Sequence, residues 1–304
     1  MAYLHSDREQ FRDAIDLAYE QTGVMVQAIE KDYYVTMLLR LLAQRMPYIV
    51  FKGGTSLSKC HKVIRRFSED IDITIDTLLS QGQKKKIKQA IVESAEELGM
   101  TIENLDETRS RRDYNRYVIA YDSVIPMASD ALKAAVLLET SYTAVSFPTV
   151  LLPVHSYIGD MMEQEAPDAI EEYNLNPFEM KVQGIDRTLA DKVFAVCDYY
   201  LQGKVAKHSR HLYDIYKLLP LVPQDENFKE LVKEVRAVRE QSVICPSALP
   251  EADVPELLEK IIKEKAYKQD YDSLTTQLLE ETVPYDTVMA TLKKVAESGL
   301  FENN

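Results

Sequence analysis

Cysteine is scarce in this chain of 304 residues, and long apolar runs are missing from it. The three cysteines, Cys60, Cys197 and Cys245, are too few and too widely spaced for a disulfide framework or a zinc cluster. No apolar run approaches the roughly 18–20 residues that a membrane-spanning helix needs. The opening residues, MAYLHSDREQF, carry charges where a secretory signal has an apolar core. We therefore expect a cytoplasmic protein with no membrane partner.

Two common catalytic arrangements are missing as well, and basic residues are outnumbered. The five histidines form no Cys/His pair suited to nucleophilic catalysis, and no Ser, His and Asp set stands out. The net charge of −13 by itself disfavours a nucleic-acid partner. The charge is uneven, however, because residues 1–150 hold 21 acidic and 19 basic residues and sum to −2, which leaves −11 for the remainder. A phosphate-rich partner can still bind a local basic surface in the first half.

Basic side chains do cluster in the first half of the chain, between residues 52 and 66. We take four of them as candidate contacts to the phosphates of an acceptor: Lys59, Lys62, Arg65 and Arg66. The alternative interpretation is a solvated helix face, which is the usual role of a charge cluster.

Hydrophobic periodicity predicts an α+β first half with a mixed sheet and a helical second half. We expect helices at 7–21, 29–46, from Gly53 to about Arg66, and at 82–98, with strands at 48–51, 71–76, 100–105, 116–122 and 133–142. Helical spacing then dominates at 186–202, 209–219, 225–241, 253–268 and 284–298. These patterns predict two domains, residues 1–155 and residues 156–304.

The most informative stretch is YIVFKGGTSLSKCHKVIRRFSEDIDITID, residues 48–76. Its second strand carries Asp70-x-Asp72, and two carboxylates two residues apart on a strand point to the same side. Such a pair, completed by substrate phosphates, suits magnesium. The alternative is an exposed strand face, since acid-x-acid pairs are common in a chain with 49 acidic residues.

A Gly-Gly turn joins the first of these strands to a helix, and it is the rarer signal. Gly53 and Gly54 allow backbone N–H groups to approach a triphosphate closely, and the hydroxyls of Thr55 and Ser56 lie beside them. A phosphate loop one helix ahead of a carboxylate pair is the arrangement that phosphoryl transfer requires.

KGGTSLSK and RFSEDIDI together resemble the signature of the AbiEii/AbiGii toxin family. These are polymerase-beta-like nucleotidyltransferases of bacterial abortive-infection and type IV toxin–antitoxin systems. Three further segments resemble the family in the same order along the chain: IEKDYYVTMLLRLL (29–42), RTLADKVFAV (187–196) and RHLYDIYKLL (210–219). The resemblance implies a polymerase-beta-like core followed by an all-helical domain that contributes to the active site.

The resemblance also implies roles for particular residues. Gly53, Gly54 and Ser56 match the nucleotide loop of the family, and Asp70 and Asp72 match its metal pair.

Three residues of the second half match the remaining motifs. Lys192 matches the catalytic lysine of the family's third motif and Asp214 the catalytic aspartate of its fourth, and Arg210, beside Asp214 in that motif, is a candidate nucleotide contact. His211 stands where an aspartate is common in relatives. Without the resemblance, Lys192 would be interpreted as a solvated helix lysine and Asp214 as part of an inter-helix salt bridge.

A third metal ligand is expected on a later strand, because superfamily members often have one. Glu139, after the apolar run in KAAVLLETSY, is the candidate. An exposed strand carboxylate is the alternative.

These features predict an enzyme that transfers a nucleoside monophosphate from an NTP to an acceptor, with Mg²⁺ or Mn²⁺ as cofactor. The resemblance implies an RNA acceptor, in particular the 3′ end of tRNA, and a separately encoded antitoxin. Two alternatives stay open: nucleotidylation of a protein side chain, and a non-catalytic module that binds nucleotide or RNA.

Overall fold

A computed structural model describes residues 2–68, 70–126, 133–145 and 147–303. The chain divides into two compact units. The sheet unit comprises Met1–His61 and Ser68–Gln183, and the helical unit comprises Lys62–Phe67 and Gly184–Asn304. The predicted α+β class with a mixed sheet is confirmed.

A seven-stranded sheet with the order β3-β4-β5-β2-β1-β7-β6 forms the centre of the sheet unit. Neighbouring strands run antiparallel except at β1–β7 and β2–β5, which are parallel. The strands are β1 (Ile49–Lys52), β2 (Ile71–Ile75), β3 (Thr101–Ile102), β4 (Tyr114–Ala120), β5 (Ala135–Val145), β6 (Thr149–Val154) and β7 (Phe178–Gln183).

Helices pack around this sheet and cover its apolar side chains. They are α1 (Arg8–Thr22), α2 (Val26–Arg45), α3 (Gly53–Lys59), α4 (Gln81–Glu97), α5 (Tyr157–Glu165) and α6 (Pro167–Glu172). Ile71, Ile73 and Ile75 are fully buried, so the alternation in β2 places its other face away from this core. Ser80 begins α4 with a capping box, in which its hydroxyl accepts from the Gln83 N–H and the Gln83 side chain accepts from the Ser80 N–H.

The helical unit is built from amphipathic helices of ordinary length. They are α7 (Ile185–Leu201), α8 (Arg210–Leu218), α9 (Glu226–Glu240), α10 (Val254–Glu264), the short α11 (Lys268–Asp270) and α12 (Thr276–Leu278), and α13 (Tyr285–Glu297). In the described parts of the chain, none of the helices combines the length and the apolarity that crossing a membrane requires.

The main differences from the sequence-based expectations are a sheet that continues through β6 and β7 and a shorter helix after the Gly-Gly turn. The all-helical region does not begin at residue 156, because β7 pairs with both β1 and β6 and keeps residues 156–183 in the sheet unit. The helix after the Gly-Gly turn ends at Lys59 and does not reach Arg66. Arg66 instead forms an isolated β-bridge with Leu279 in the helical unit.

Candidate nucleotidyl-transfer site

The Gly-Gly turn lies directly against one carboxylate of the acidic pair. Lys52 at the end of β1 is in register with Asp72 on β2, so Gly53 follows beside that aspartate. Gly53 has a φ of +83°, and a Cβ placed on it would lie 1.9 Å from Asp72 Oδ2. Only glycine fits this position, for reasons of both backbone conformation and space. The predicted phosphate loop and the predicted metal ligand are therefore in contact.

The acidic pair lies on the less buried face of β2. Asp72 is half-buried and alternates with the fully buried Ile71 and Ile73, while Asp70, also half-buried, immediately precedes the strand. This face is the one that Gly53 contacts.

A row of four charged residues crosses the sheet at Asp72. The register pairs Lys52 with Asp72, Asp72 with Glu139, and Glu139 with Arg116, on β1, β2, β5 and β4 in that order. Neighbouring strands are about 4.8 Å apart, so the two carboxylates of the row are adjacent. Arg116 Nε lies 3.7 Å from Glu139 Oε1. The structure thus places Glu139 beside Asp72, flanked by a cation at each end of the row.

The donor set suits a divalent cation that is completed by the substrate. Within the ranges that the structure describes, no group of three or more His, Cys, Asp and Glu side chains is arranged to hold a metal ion. Magnesium is usually bound by one or two carboxylates together with substrate phosphates. Asp70 and Asp72 fit that smaller requirement, with Glu139 next to them in register.

The hydroxyls beside the loop are engaged inside the protein. The Thr55 and Ser68 hydroxyls are 2.9 Å apart and hydrogen-bonded, and the Ser56 hydroxyl donates to the Gly53 carbonyl at 2.9 Å. Thr55 and Ser56 are both buried. In this structure the loop therefore faces solvent with its backbone and not with these two hydroxyls.

The basic cluster is not one exposed helix face. Lys59 is buried and forms an ion pair with Asp32, and the Arg66 guanidinium is also buried. Lys62 and Arg65, which follow the end of α3, are exposed. Lys59 and Arg66 are thus engaged with the half-buried Asp32 and the buried Asp214, which leaves Lys62 and Arg65 as the exposed members of the four candidate phosphate contacts.

A buried ionic cluster in the helical unit contains two of the predicted catalytic residues. Asp214 on α8 accepts hydrogen bonds from Arg66 Nε at 2.7 Å and from the second terminal nitrogen of Arg66 at 2.8 Å. Lys192 Nζ, from α7, lies 2.7 Å from Asp214 Oδ2, the oxygen that also accepts from the terminal nitrogen of Arg66. The inter-helix salt bridge given above as the alternative interpretation of Asp214 is thus present, with Lys192 as its partner. Arg66 was missed, since 148 positions separate it from Asp214 and no local pattern links the two.

Burial and charge together set the protonation of this cluster. Burial alone raises the pKa of Asp214, but Arg66 and then Lys192 outweigh it and lower that pKa well below its usual range. Burial lowers the pKa of Lys192, against the opposing effect of Asp214. Burial, followed by the Lys192 charge, holds the pKa of His211 well below its usual range. His211 is therefore neutral near pH 7, and its Nδ1 lies 3.4 Å from Lys192 Nζ.

Arg210 begins α8 in this neighbourhood. It is half-buried, and its charge is among the influences that lower the pKa of Lys192 and of His211. The rings of Tyr199, His208 and His211 stack beside it, with Tyr199 and His208 centroids 3.5 Å apart. Sequence reasoning did not find this stack, because aromatic residues 9 and 12 positions apart, on α7, the turn before α8 and α8 itself, have no distinguishing spacing.

Comparisons with known proteins agree with this fold. The family model of the nucleotidyl transferase AbiEii toxin, type IV toxin–antitoxin system, matches residues 36–291. MenT4, a nucleotidyltransferase toxin from Mycobacterium tuberculosis H37Rv, has a similar structure with a TM-score of 0.52 and 16% identity, over 93% of this chain and 88% of that one. No curated protein sequence matches the chain. Because the family model covers most of its length, the chain belongs to the AbiEii family of nucleotidyltransferase toxins of type IV toxin–antitoxin systems.

Proposed function

We propose that this toxin transfers a nucleoside monophosphate from an NTP to the hydroxyl of an RNA acceptor, with the 3′ end of tRNA as the first candidate. The observation that supports this most is the contact of Gly53 with Asp72, which joins a phosphate loop to a metal-binding carboxylate. The reaction would take place in the cytoplasm, as part of phage defence, and a separately encoded antitoxin would counter it.

In this proposal the backbone of Gly53 and Gly54 binds the triphosphate. Asp70 and Asp72 would hold magnesium or manganese, and Glu139, adjacent to Asp72 in register, would become a third ligand only on leaving Tyr114 and Arg116. The metal, when bound, would stabilise negative charge on the attacking and leaving oxygens. Gly53 would keep the phosphates within reach of Asp72, because a side chain at this position would separate the two groups.

The helical unit would supply Lys192 as a fixed counter-charge to the transferring phosphate and Arg210 as a nucleotide contact. Asp214 supports this assignment, because it fixes the Lys192 ammonium at 2.7 Å. A preorganised charge of this kind stabilises a transition state without reorganisation during the reaction. The exposed Lys62 and Arg65 remain proposed contacts to the acceptor's phosphates.

A labelling assay tests the proposal. The protein is incubated with each labelled NTP, Mg²⁺ or Mn²⁺, total RNA and a protein extract, and label is measured in the RNA and protein fractions. We expect label in RNA, and we expect Asp70→Asn and Asp72→Asn to abolish it with thermal midpoints within a few degrees of wild type. Asp16→Asn, which changes an exposed aspartate on α1, is the matched control and should label normally.

Each outcome separates one alternative. Label in the protein fraction would establish nucleotidylation of a side chain, and nucleotide binding without any label would establish a non-catalytic module. Wild-type turnover by either aspartate variant would refute the metal-pair assignment.

A further inference from the structure

An exposed tyrosine and an exposed arginine lie on β4, on the same face as the charged row. Arg116 is in register with Glu139, and Tyr114 is two residues earlier, so the alternation of the strand puts both on the face that carries Asp72. Tyr114 is 52% exposed and the Arg116 side chain is 54% exposed. The intervening Asn115 is buried on the opposite face. A pair of large, accessible side chains therefore lies beside the proposed catalytic carboxylates.

Tyr114 differs from the other tyrosines of this part of the sheet. Tyr117, Tyr121 and Tyr142 are at most 7% exposed, so packing accounts for them. The hydroxyl of Tyr114 is hydrogen-bonded to the Glu139 carboxylate. The polar end of the side chain is thus anchored, while half of its surface stays accessible to a ligand.

Arg116 forms a weak ion pair with Glu139 that another anion can replace. Its contact with Glu139 spans 3.7 Å and is solvent-exposed. Exposed ion pairs of this kind contribute about 0–1 kcal/mol. A phosphate oxygen, which forms stronger charge-assisted hydrogen bonds with a guanidinium, can replace Glu139 at little cost.

The position of the pair in the sheet indicates which substrate it meets. The phosphate loop follows β1, on one side of β2, whereas β5 and then β4 lie on the other side. Tyr114 and Arg116 are thus two strands, or about 10 Å, beyond Asp72. In phosphoryl transfer the attacking and leaving oxygens lie roughly in line on opposite sides of the phosphorus. With the triphosphate on the β1 side, the β4 side is left for the acceptor.

We propose that Tyr114 and Arg116 bind the end of a single-stranded RNA acceptor, with the tyrosine ring stacked on a base and the guanidinium on a phosphate. This inference rests on the proposed function and specifies its acceptor. Base–aromatic stacking tolerates any base, so the site would select for an unpaired nucleotide rather than for a sequence.

Equilibrium binding of a short single-stranded oligoribonucleotide, without NTP, tests this site separately from catalysis. Stacking contributes about 1–3 kcal/mol per base, so Tyr114→Ala should weaken binding roughly 5- to 150-fold. Tyr114→Phe keeps the ring and should bind within about threefold of wild type. Tyr19→Ala, which removes a tyrosine on α1 that is 48% exposed, is the matched control and should bind as wild type does.

The salt dependence distinguishes the two side chains. Arg116→Gln should make the slope of log K against log salt shallower by about 0.7, because one phosphate contact of a single strand is lost. Tyr114→Ala should leave that slope unchanged. Thermal midpoints of the four variants within a few degrees of wild type would show that each folds.

Two results would overturn the inference. One is unchanged RNA affinity in folded Tyr114→Ala, whether or not its affinity for NTP falls, and the other is an unchanged salt slope in folded Arg116→Gln. Either result leaves the proposed function intact if Asp72→Asn still abolishes labelling of RNA. Label found only in protein would instead refute the proposed function, whatever the oligonucleotide affinity.

Discussion

Removing Arg66 should destabilise the helical unit far more than removing its neighbour in sequence. The Arg66 and Asp214 side chains are 1% and 0% exposed, and two hydrogen bonds of 2.7 and 2.8 Å join them. Truncating one partner of such a pair leaves a buried carboxylate undercompensated, which costs about 3–5 kcal/mol. At roughly 2–4 °C per kcal/mol for a domain of this size, Arg66→Ala should lower the thermal midpoint by about 6–20 °C.

Arg65→Ala is the matched control, because it removes the same atoms from an exposed position one residue away. Surface substitutions of this kind usually change stability by less than about 0.5 kcal/mol. Calorimetry or circular dichroism melts of wild type and the two variants provide the comparison. A midpoint for Arg66→Ala as high as that for Arg65→Ala would refute the argument that this cluster stabilises the fold.

The same cluster predicts a pH dependence with a definite sign. Burial alone raises the pKa of Asp214, but Arg66 and Lys192 outweigh burial and lower that pKa below its ordinary value of about 3.9. The ion pair therefore stabilises the fold fully above about pH 4, and this contribution is lost as the pH falls further. The difference in midpoint between wild type and Arg66→Ala should be largest near pH 7 and should shrink on acidification.

The remaining predictions concern the site. Gly53→Ala and Gly23→Ala both place alanine at a positive φ, which costs about 1–3 kcal/mol. Only the first meets a carboxylate at 1.9 Å, so only Gly53→Ala should also lose label transfer; equal activity of the two variants would contradict the loop assignment. Lys192→Ala should lower turnover about 10²–10³-fold, and adding Asp214→Ala should worsen it little if the aspartate acts through the lysine. Turnover measured well below each midpoint checks this, and losses that multiply would indicate independent roles.

The sequence predicts that part of the site whose residues lie close together along the chain. A buried strand, a Gly-Gly turn and an alternating strand with Asp72 occur within 29 residues, and the structure contains all three. Gly53 could be recognised as unusual because two adjacent glycines are rare in a chain with nine. Its contact with Asp72 follows from the register of β1 and β2, which pairs Lys52 with Asp72.

Long-range pairing accounts for what the sequence does not reveal. β7 joins the sheet beside β1, more than 120 positions earlier in the chain, and β6 contains Pro153, which weakens its strand pattern. Arg66 follows a run that reads as helix, yet its ion pair and its bridge to Leu279 draw it into the other unit. Residue types alone predict neither the position of β6 and β7 in the sheet nor the burial of Arg66. Burial of a charge depends on a partner that local spacing does not specify.

Residues 62–67 belong to the helical unit but are synthesised long before the rest of it. Asp214 follows Arg66 by 148 positions, so at about 5–20 residues per second its translation lags by roughly 7–30 s. Once Asp76 has been made, the chain contains the strand–turn–strand segment that forms the proposed active site, while Asp214 is still absent. A chain that stalls or is cleaved between these two residues contains Gly53 and Asp72 but lacks the counter-ion that allows Arg66 to be buried. Such truncated products are therefore expected to be substrates for cellular proteases, and the toxin should become long-lived only after Asp214 has been made.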